Sequence, residues 1–593
     1  MDNQRNIILA VLLTALVLFG WEAGLKYLYP QSDKPRQEQT AAAKAESAPS
    51  GAKPTREGGL TSEADIALEQ QDLKQALAAG GRLPIDAPGL AGSINLKGAI
   101  VDDLVTKRHT ESVKKDSGPA RIFSPAGTPA QQFAQFGWVG QGVELPNPNT
   151  LWTTPQGAKL TPTTPVTVAW TNPTGQTFAI KFAIDQDYML TATQSVVNRG
   201  GGPVVVRPFA LISRTDKTAS LDSFNVHSGP IGAYDGAVSF GTNYGDVQDA
   251  GTVENPGKTN WLGFTDVYWM SLLIPGNAPH DSSFRSQGGG LFRADLIYEP
   301  VTVGAGKQTS LTTRLFAGAK ESDVLDRYEN AGIANFGLAI DWGWFRWFEK
   351  PIFALLKALF KAVGHFGVAI ILLTVIVRGV MFPVAQRQFA SMAAMRAVQP
   401  KMKAIQDRYK DDKQKQQQEI MALYKQEGVN PLAGCLPIFL QIPIFFALYK
   451  TLILAIEMRH QPFVLWIKDL SAPDPLHFLN LFGLLDFTPP SFLGIGVLAV
   501  LLGITMYLQF KMNPAPMDPV QEQMFKLMPW IMMFIMAPFA AGLLLYWITS
   551  NLLTIAQQKY LYSRHPQLKA QNAKAAEDTK RAGERDGPAK AGK

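Results

Sequence analysis

The sequence predicts a multi-domain membrane protein: an α-helical polytopic core of five transmembrane spans, an N-terminal anchor span, and a large all-β domain between them. Three observations predict it. Residues 350–560 are dense in Phe, Leu, Ile, Met and Trp, whereas residues 31–330 are polar. Between residues 93 and 320, short alternating runs rich in Val, Thr and aromatics are separated by turn signals. His365–Val384 is long enough to cross a bilayer core, since about 20 apolar residues rising about 1.5 Å each span about 30 Å. At 593 residues the chain is too long for one core. Its net charge of +7 is modest, so the placement of basic residues matters more than their total. The single cysteine, Cys435, excludes an intrachain disulfide, and an exported domain must be stable through its core alone.

Residues 1–29 form a cytoplasmic tip and an anchor. Ile7–Trp21 is uncharged and follows Arg5. A cleaved signal peptide fits the same pattern. The uncleaved anchor is preferred, because no small-x-small site follows and Trp21, Tyr27 and Tyr29 resemble an interfacial aromatic belt. Residues 30–90 are rich in Ala, Lys, Glu, Gln, Pro and Gly and read as a disordered linker, with a short helix allowed around Ser62–Leu77. Residues 91–335 form the β domain, an antiparallel sandwich built from runs such as TFAIKFAID (Thr177–Asp185) and YMLTATQSVVN (Tyr188–Asn198). It closes with a helix in Glu321–Gly332. Residues 336–363 contain an amphipathic helix. Arg346, Lys350, Lys357 and Lys361 fall within about 60° of arc at 100° per residue, opposite Ile352, Leu355, Leu356 and Leu359. Such a helix lies in the membrane interface; packing on the β domain is the alternative.

Residues 364–384 form the arginine-bearing span. Residues 385–428 hold nine Lys/Arg and five Asp/Glu and read as a helical hairpin outside the membrane. Met395, Met402, Ile405 and Tyr409 follow 7-3-4 spacing, suited to a coiled-coil seam, with Ile420 and Leu423 facing them. The methionines either adapt to varied apolar partners or fill the hairpin core. Residues 429–558 supply four more spans: Leu432–Ala455, Phe492–Phe510, and two short helices within Phe525–Ile555 that turn at Met536–Gly542. Lys450, inside the first of these, is read as snorkelling outward. Residues 559–593 form a basic tail.

Orientation follows from loop charge. The hairpin and tail are basic, whereas loop 456–491 has two basic and four acidic residues. Both termini are then cytoplasmic and the β domain lies outside, in the periplasm of a bacterium.

The chain shows no nucleotide loop, zinc spacing or nucleophile elbow. The candidate site is Arg378. A centred membrane arginine costs roughly 2.5–3.5 kcal/mol on insertion scales and marks a functional site by default. Snorkelling to the inner headgroups is the bland alternative. Thr374 shares its helix face, and no acidic residue lies within the last five spans. Gln441, Thr505, Tyr507, Gln509, Tyr546, Thr549, Ser550, Asn551 and Thr554 are available polar partners. Gathered around Arg378, they form a hydrated pocket that attracts carboxylates and lowers the cost of bringing polar backbone into the bilayer.

NPLAGCLPIFLQIPIFFALYK (Asn430–Lys450), TVIVRGVMFPV (Thr374–Val384), QPFVLWIKDLSAPDP (Gln461–Pro475) and LLLYWITSNLLTIAQQ (Leu543–Gln558) resemble the YidC family of membrane protein insertases. The match runs in order over about 220 residues. The first span with a large β domain is similar to the Gram-negative form, whose periplasmic domain is a β-supersandwich. The resemblance implies an insertase and chaperone of the inner membrane, acting alone or with the Sec translocon, without a nucleotide or other cofactor. It implies that Arg378 attracts acidic residues in a substrate's extracellular tail. It implies that the hairpin receives the substrate, and that apolar segments leave along the spans containing Ile370 and Trp547. Trp547 stands where some relatives have tyrosine, so a hydroxyl contact there is lost. FGLLDFTPPS (Phe482–Ser491) lengthens the outer loop and has no assigned role. The expected partners are nascent membrane proteins, the Sec translocon, membrane lipids and, through the basic tail, ribosomes by phosphate attraction; DNA is not among them.

Two other classes compete. A small-solute transporter or channel would use Arg378 as an anion site, but the duplicated halves common in transporters are not found. A sugar-binding or sugar-isomerising envelope protein would use His109, His227 or His280 of the β domain, but five further spans are far more than an anchor needs.

Overall fold

A computed structural model describes residues 59–564 apart from 61, 79–80, 115–116, 221–225, 256, 344, 411, 429–435, 480, 482–484, 486–493 and 513–518. The expected anchor, most of the linker, Cys435, most of the 482–491 insert and the tail beyond residue 564 lie outside these residues.

Alternating apolar residues fold into two antiparallel sheets. Gln176–Ile184 shows why: Phe178, Ile180 and Phe182 are fully buried, while Lys181 between them is exposed. Among the described residues one sheet has ten strands. Its path runs Arg82–Asp86, Leu90–Asn95, Ile100–Thr110, Gln132–Gln141, Val204–Thr215, Leu291–Tyr298, His280–Gly288 and Thr252–Glu254. The other has eight strands. It runs Ala237–Ser239, Gly229–Tyr234, Thr259–Thr265, Trp269–Ile274, Gln308–Ala319, Met189–Asn198, Gln176–Ile184 and Val166–Thr171. The sheets share an aromatic core, with Phe136 of the first meeting Phe182 of the second edge-on at 6.1 Å. Two buried amides bond across it: Gln194 Nε2 donates to the Gly137 carbonyl at 2.7 Å, and Gln132 Nε2 to Ser271 Oγ at 2.8 Å.

The first strand begins at Arg82, inside the segment expected to be linker. Before it, helix α1 (Glu63–Ala78) is anchored to the domain where Glu69 Oε2 accepts the Ala130 amide at 2.8 Å. The domain also contains α2 (Tyr244–Ala250) and ends in α3 (Ser322–Asn330).

Among the described residues eight α-helices follow: α4 (Arg346–Val363), α5 (Phe366–Val380), α6 (Phe382–Arg408), α7 (Lys413–Glu427), α8 (Leu436–Leu454), α9 (Val497–Lys511), α10 (Pro519–Met536) and α11 (Ala541–Arg564). Gly364, at φ +71°, ends α4 with its amide on the Phe360 carbonyl at 2.7 Å, a left-handed cap that suits glycine. The arginine-bearing stretch, expected to be continuous to Val384, breaks at Met381, where α5 and α6 diverge by 60°. Pro383 explains the break: it lacks the amide that would bond to Gly379, and its ring would collide with that carbonyl. Among the described residues no single helix is both long and apolar enough to cross a membrane; α5 with Phe382–Ala390 passes only as a bent pair.

The hairpin forms from α6 and α7. Asp412 caps α7 by accepting the Lys415 amide at 3.0 Å. Val398, Met402, Ile420, Leu423 and Tyr424 make its core, with Met395 and Ile405 at the edge. The seam methionines therefore fill the hairpin. Tyr409 departs from the expected seam: at the end of α6 its ring faces the cations of Arg408 and Lys415.

Two joints tie the helices to the β domain. Ser322, opening α3, bonds to Glu457 Oε1 through its amide at 3.0 Å and its hydroxyl at 2.9 Å. Its hydroxyl also accepts from Lys357 of α4 at 2.9 Å, and Lys357 pairs with Asp323 at 2.5 Å. At least this part of the cationic face of α4 thus meets the β domain, because acidic partners lie within reach there. Arg459 donates to the carbonyls of Thr110 at 2.7 Å and Glu111 at 3.0 Å, and sits over the rings of Tyr268 and Trp269. Lys450 does not snorkel: it is buried, and its ammonium donates to the Asp341 carbonyl at 2.9 Å.

The loop 459–477 is a strap over one end of the bundle. The amides of Ala541 and Gly542, which open α11, donate to the carbonyls of Ala472 and Leu470 at 2.8 and 2.9 Å. Buried Asp474 accepts Trp466 Nε1 at 3.0 Å and the amides of Leu476 at 3.0 Å and Leu498 at 2.8 Å.

Candidate functional site

The site lies where α5, α6, α8 and α11 converge. Thr374, Val377 and Arg378 of α5 line a cavity with Met381, Ala385 and Gln388 around the bend, Gln441 and Ile444 of α8, and Tyr546 of α11. The helical period places Thr374 and Arg378 one turn apart on the same face. Arg378 Nε donates to Ser550 Oγ at 3.1 Å, and Nη2 reaches Ser550 Oγ as well as Gln441 Oε1 at 3.3 Å. Gln441 Nε2 donates in turn to Tyr546 Oη. A relay of neutral dipoles holds the guanidinium. Among the described residues no carboxylate stands within ion-pair reach of it.

That arrangement differs from a structural ion pair. A hydroxyl and an amide orient the charge without neutralising it, so the field stays available to an incoming anion. A carboxylate about 4 Å away gains roughly 4 kcal/mol at an effective dielectric of 20, against about 1 kcal/mol in bulk water. This suffices for a stopover and falls far short of a permanent bond.

The expected site residues divide into two groups. Arg378, Thr374, Gln441, Tyr546 and Ser550 come together. Thr374 donates its hydroxyl proton to the Ile370 carbonyl at 2.7 Å, which leaves it only an acceptor towards the cavity. Asn551 instead joins α11 to α9, donating to Thr505 Oγ1 at 3.2 Å. Tyr507 points away: it is 40% exposed and its ring faces Trp530 at 6.3 Å. Gln509 does not line the cavity, and its Oε1 is buried without a partner. Trp547 packs edge-on against Phe445 at 5.4 Å. Ile370 is fully buried and does not present a surface to lipid. Met381, Ala385 and Gln388 were not anticipated. The signal for them was Pro383, which bends the chain so that the following helix lines the cavity.

The His residues of the β domain each bond within the described fold. His109 Nε2 bonds to Glu321 at 3.0 Å beside the edge of Trp269, His227 bonds to the Pro230 carbonyl at 2.8 Å, and His280 to the Ala278 carbonyl at 2.8 Å. Among the described residues no His, Cys, Asp and Glu group is arranged to hold a metal.

Comparison with known proteins matches the chain in two parts. Residues 358–569 match the family described as 60Kd inner membrane protein, and residues 82–355 match the YidC periplasmic domain. The chain is 45% identical over 568 residues to the membrane protein insertase YidC of Zymomonas mobilis subsp. mobilis, covering 95% of this chain and 96% of that protein. It is 41% identical over 580 residues to the membrane protein insertase YidC of Rhizobium etli, with 95% and 96% covered. Among solved structures, an active YidC insertase with its first transmembrane domain resolved covers 83% of this chain and 97% of that one, at 17% identity and a TM-score of 0.36.

Proposed function

The chain belongs to the YidC family of membrane protein insertases, and on that premise we propose that it inserts inner-membrane proteins through a groove centred on Arg378. One observation carries this reading: a membrane arginine oriented by Ser550 and Gln441, lining a cavity, with no carboxylate in ion-pair reach among the described residues. The substrate's acidic exported tail enters the groove from the cytoplasm and meets the guanidinium. The polar walls lower the cost of carrying its backbone into the bilayer. The apolar segment then partitions into lipid, and the tail is released outward.

In this reading the protein crosses the inner membrane six times, with both termini cytoplasmic and the β domain periplasmic, an orientation the basic loops favour. The bent pair α5–α6 supports a span whose inner end tilts, with the hairpin as a cytoplasmic platform. The protein acts alone or beside the Sec translocon and assists folding; the basic tail attracts ribosomal phosphate. The relatives are insertases rather than enzymes, and catalysis is not part of the proposal.

Reconstitution tests it. Vesicles carrying Arg378→Ala should insert a small substrate with an acidic exported tail at least tenfold more slowly than wild type, and Arg378→Lys should retain much of the rate. Unchanged insertion by Arg378→Ala would sink the groove mechanism.

A further inference from the structure

A second cavity, of about 150 Å³, opens between α3 and α4, away from the groove. That volume accommodates several waters or a small polar headgroup. Its floor is apolar, made by Ile340, Trp342 and Phe353. Asp326 of α3 and Lys350 of α4 also line it. Neither makes a hydrogen bond or ion pair among the described residues. Of the neighbouring charges, Lys357 pairs with Asp323 and bonds to Ser322, and Glu329 accepts the Gly337 amide at 2.7 Å. The cavity thus offers one free anion and one free cation above a hydrophobic floor.

We propose that this cavity binds the zwitterionic headgroup of a phospholipid carrying a primary amine, a phosphoethanolamine, drawn from the outer leaflet. The phosphate pairs with Lys350, the ammonium donates to Asp326, and the first carbons of the lipid lie on Phe353 and Trp342. Charge complementarity selects this headgroup. A phosphocholine has no N–H to donate to Asp326, and a phosphoglycerol offers Asp326 no cation. Depth agrees, given the proposed topology on which this site rests. Trp347, on the same helix as Lys350, is 69% exposed and packs with Phe345 and Phe348, an aromatic group suited to the membrane–water boundary. Because one wall is α3 and the other α4, the bound lipid would join the β domain to the membrane surface.

The test uses the full chain in detergent micelles and counts lipid adducts by native mass spectrometry. Dilauroyl phosphatidylethanolamine, phosphatidylcholine and phosphatidylglycerol are supplied at equal concentration. One phosphatidylethanolamine should be retained about tenfold more tightly than either competitor. Asp326→Asn and Lys350→Gln should each weaken it about tenfold, and the exchange Asp326→Lys with Lys350→Asp should restore much of the loss. An adduct unaffected by the double neutral substitution, or phosphatidylglycerol bound equally well, overturns the proposal. Free phosphoethanolamine binding as tightly as the lipid would overturn the membrane source. Arg378→Ala should keep the adduct, so failure of the groove and failure of this site give different results.

Discussion

Arg378 Nε and Ser550 Oγ stand 3.1 Å apart, a cation oriented by a hydroxyl that leaves its charge unbalanced. Ser550 is therefore a sensitive place to alter the groove without touching the arginine. Ser550→Ala removes an anchor and should slow insertion of an acidic-tailed substrate only about two- to threefold. Ser550→Asp places a carboxylate beside the guanidinium, and should slow it at least as much as Arg378→Ala does. Rates in reconstituted vesicles decide this; wild-type speed for Ser550→Asp would show that free charge at Arg378 is not what the substrate uses.

Arg459 fastens the strap to the β domain through two carbonyls and two aromatic faces. Hydrogen bonds to a charged donor contribute about 1.5–3 kcal/mol. Arg459→Ala should raise amide exchange in residues 266–271 and 456–462 by at least tenfold while leaving the far edge of the sandwich, Gln176–Ile184, unchanged. Uniform protection across both regions would mean that the joint is not held there.

Lys320 is buried, donates to Thr265 Oγ1 at 3.1 Å, and burial pushes its ammonium down to about 8 from an ordinary 10.5. Between those two values the unfolded chain holds the proton and the folded chain does not, so stability rises with pH. Above about pH 10 the effect reverses, because buried Tyr188, Tyr234, Tyr244 and Tyr328 resist ionisation in the fold. Thermal unfolding of the full chain should shift upward from pH 8 to 10, and Lys320→Met should flatten the slope.

Deleting residues 57–320 should leave at least half of the insertion rate. The cut spares Ser322, Lys357 and Glu457, so α3, α4 and the turn that follows α8 remain joined. Complete loss, with the truncated chain still folded by circular dichroism, would make the β domain essential.

Strand and hairpin signals were local, and they were legible. The run Thr177–Asp185 alternates in sequence and in burial alike. Arg82–Asp86 was missed because RLPID, with two charges and a proline, looks like the linker before it; only pairing with Leu90–Asn95 makes it a strand. At the groove, Arg378 and its absence of acidic neighbours could be read directly. Tyr507 was misplaced although the helical period contains the correction: two residues from Thr505, it lies about 200° away and faces Trp530. Lys450 required knowledge of a distant carbonyl, that of Asp341, which no local pattern encodes.

The strap gives its end of the bundle a quality the groove lacks. The first amides of α11 bond directly to the carbonyls of Ala472 and Leu470, at 2.8 and 2.9 Å. In the proposed orientation a hydrated vestibule facing the cytoplasm then stops against a stitched backbone. Vesicles containing the protein would hold a membrane potential while polypeptides pass, because a chain can be admitted without giving ions a continuous file of water to follow.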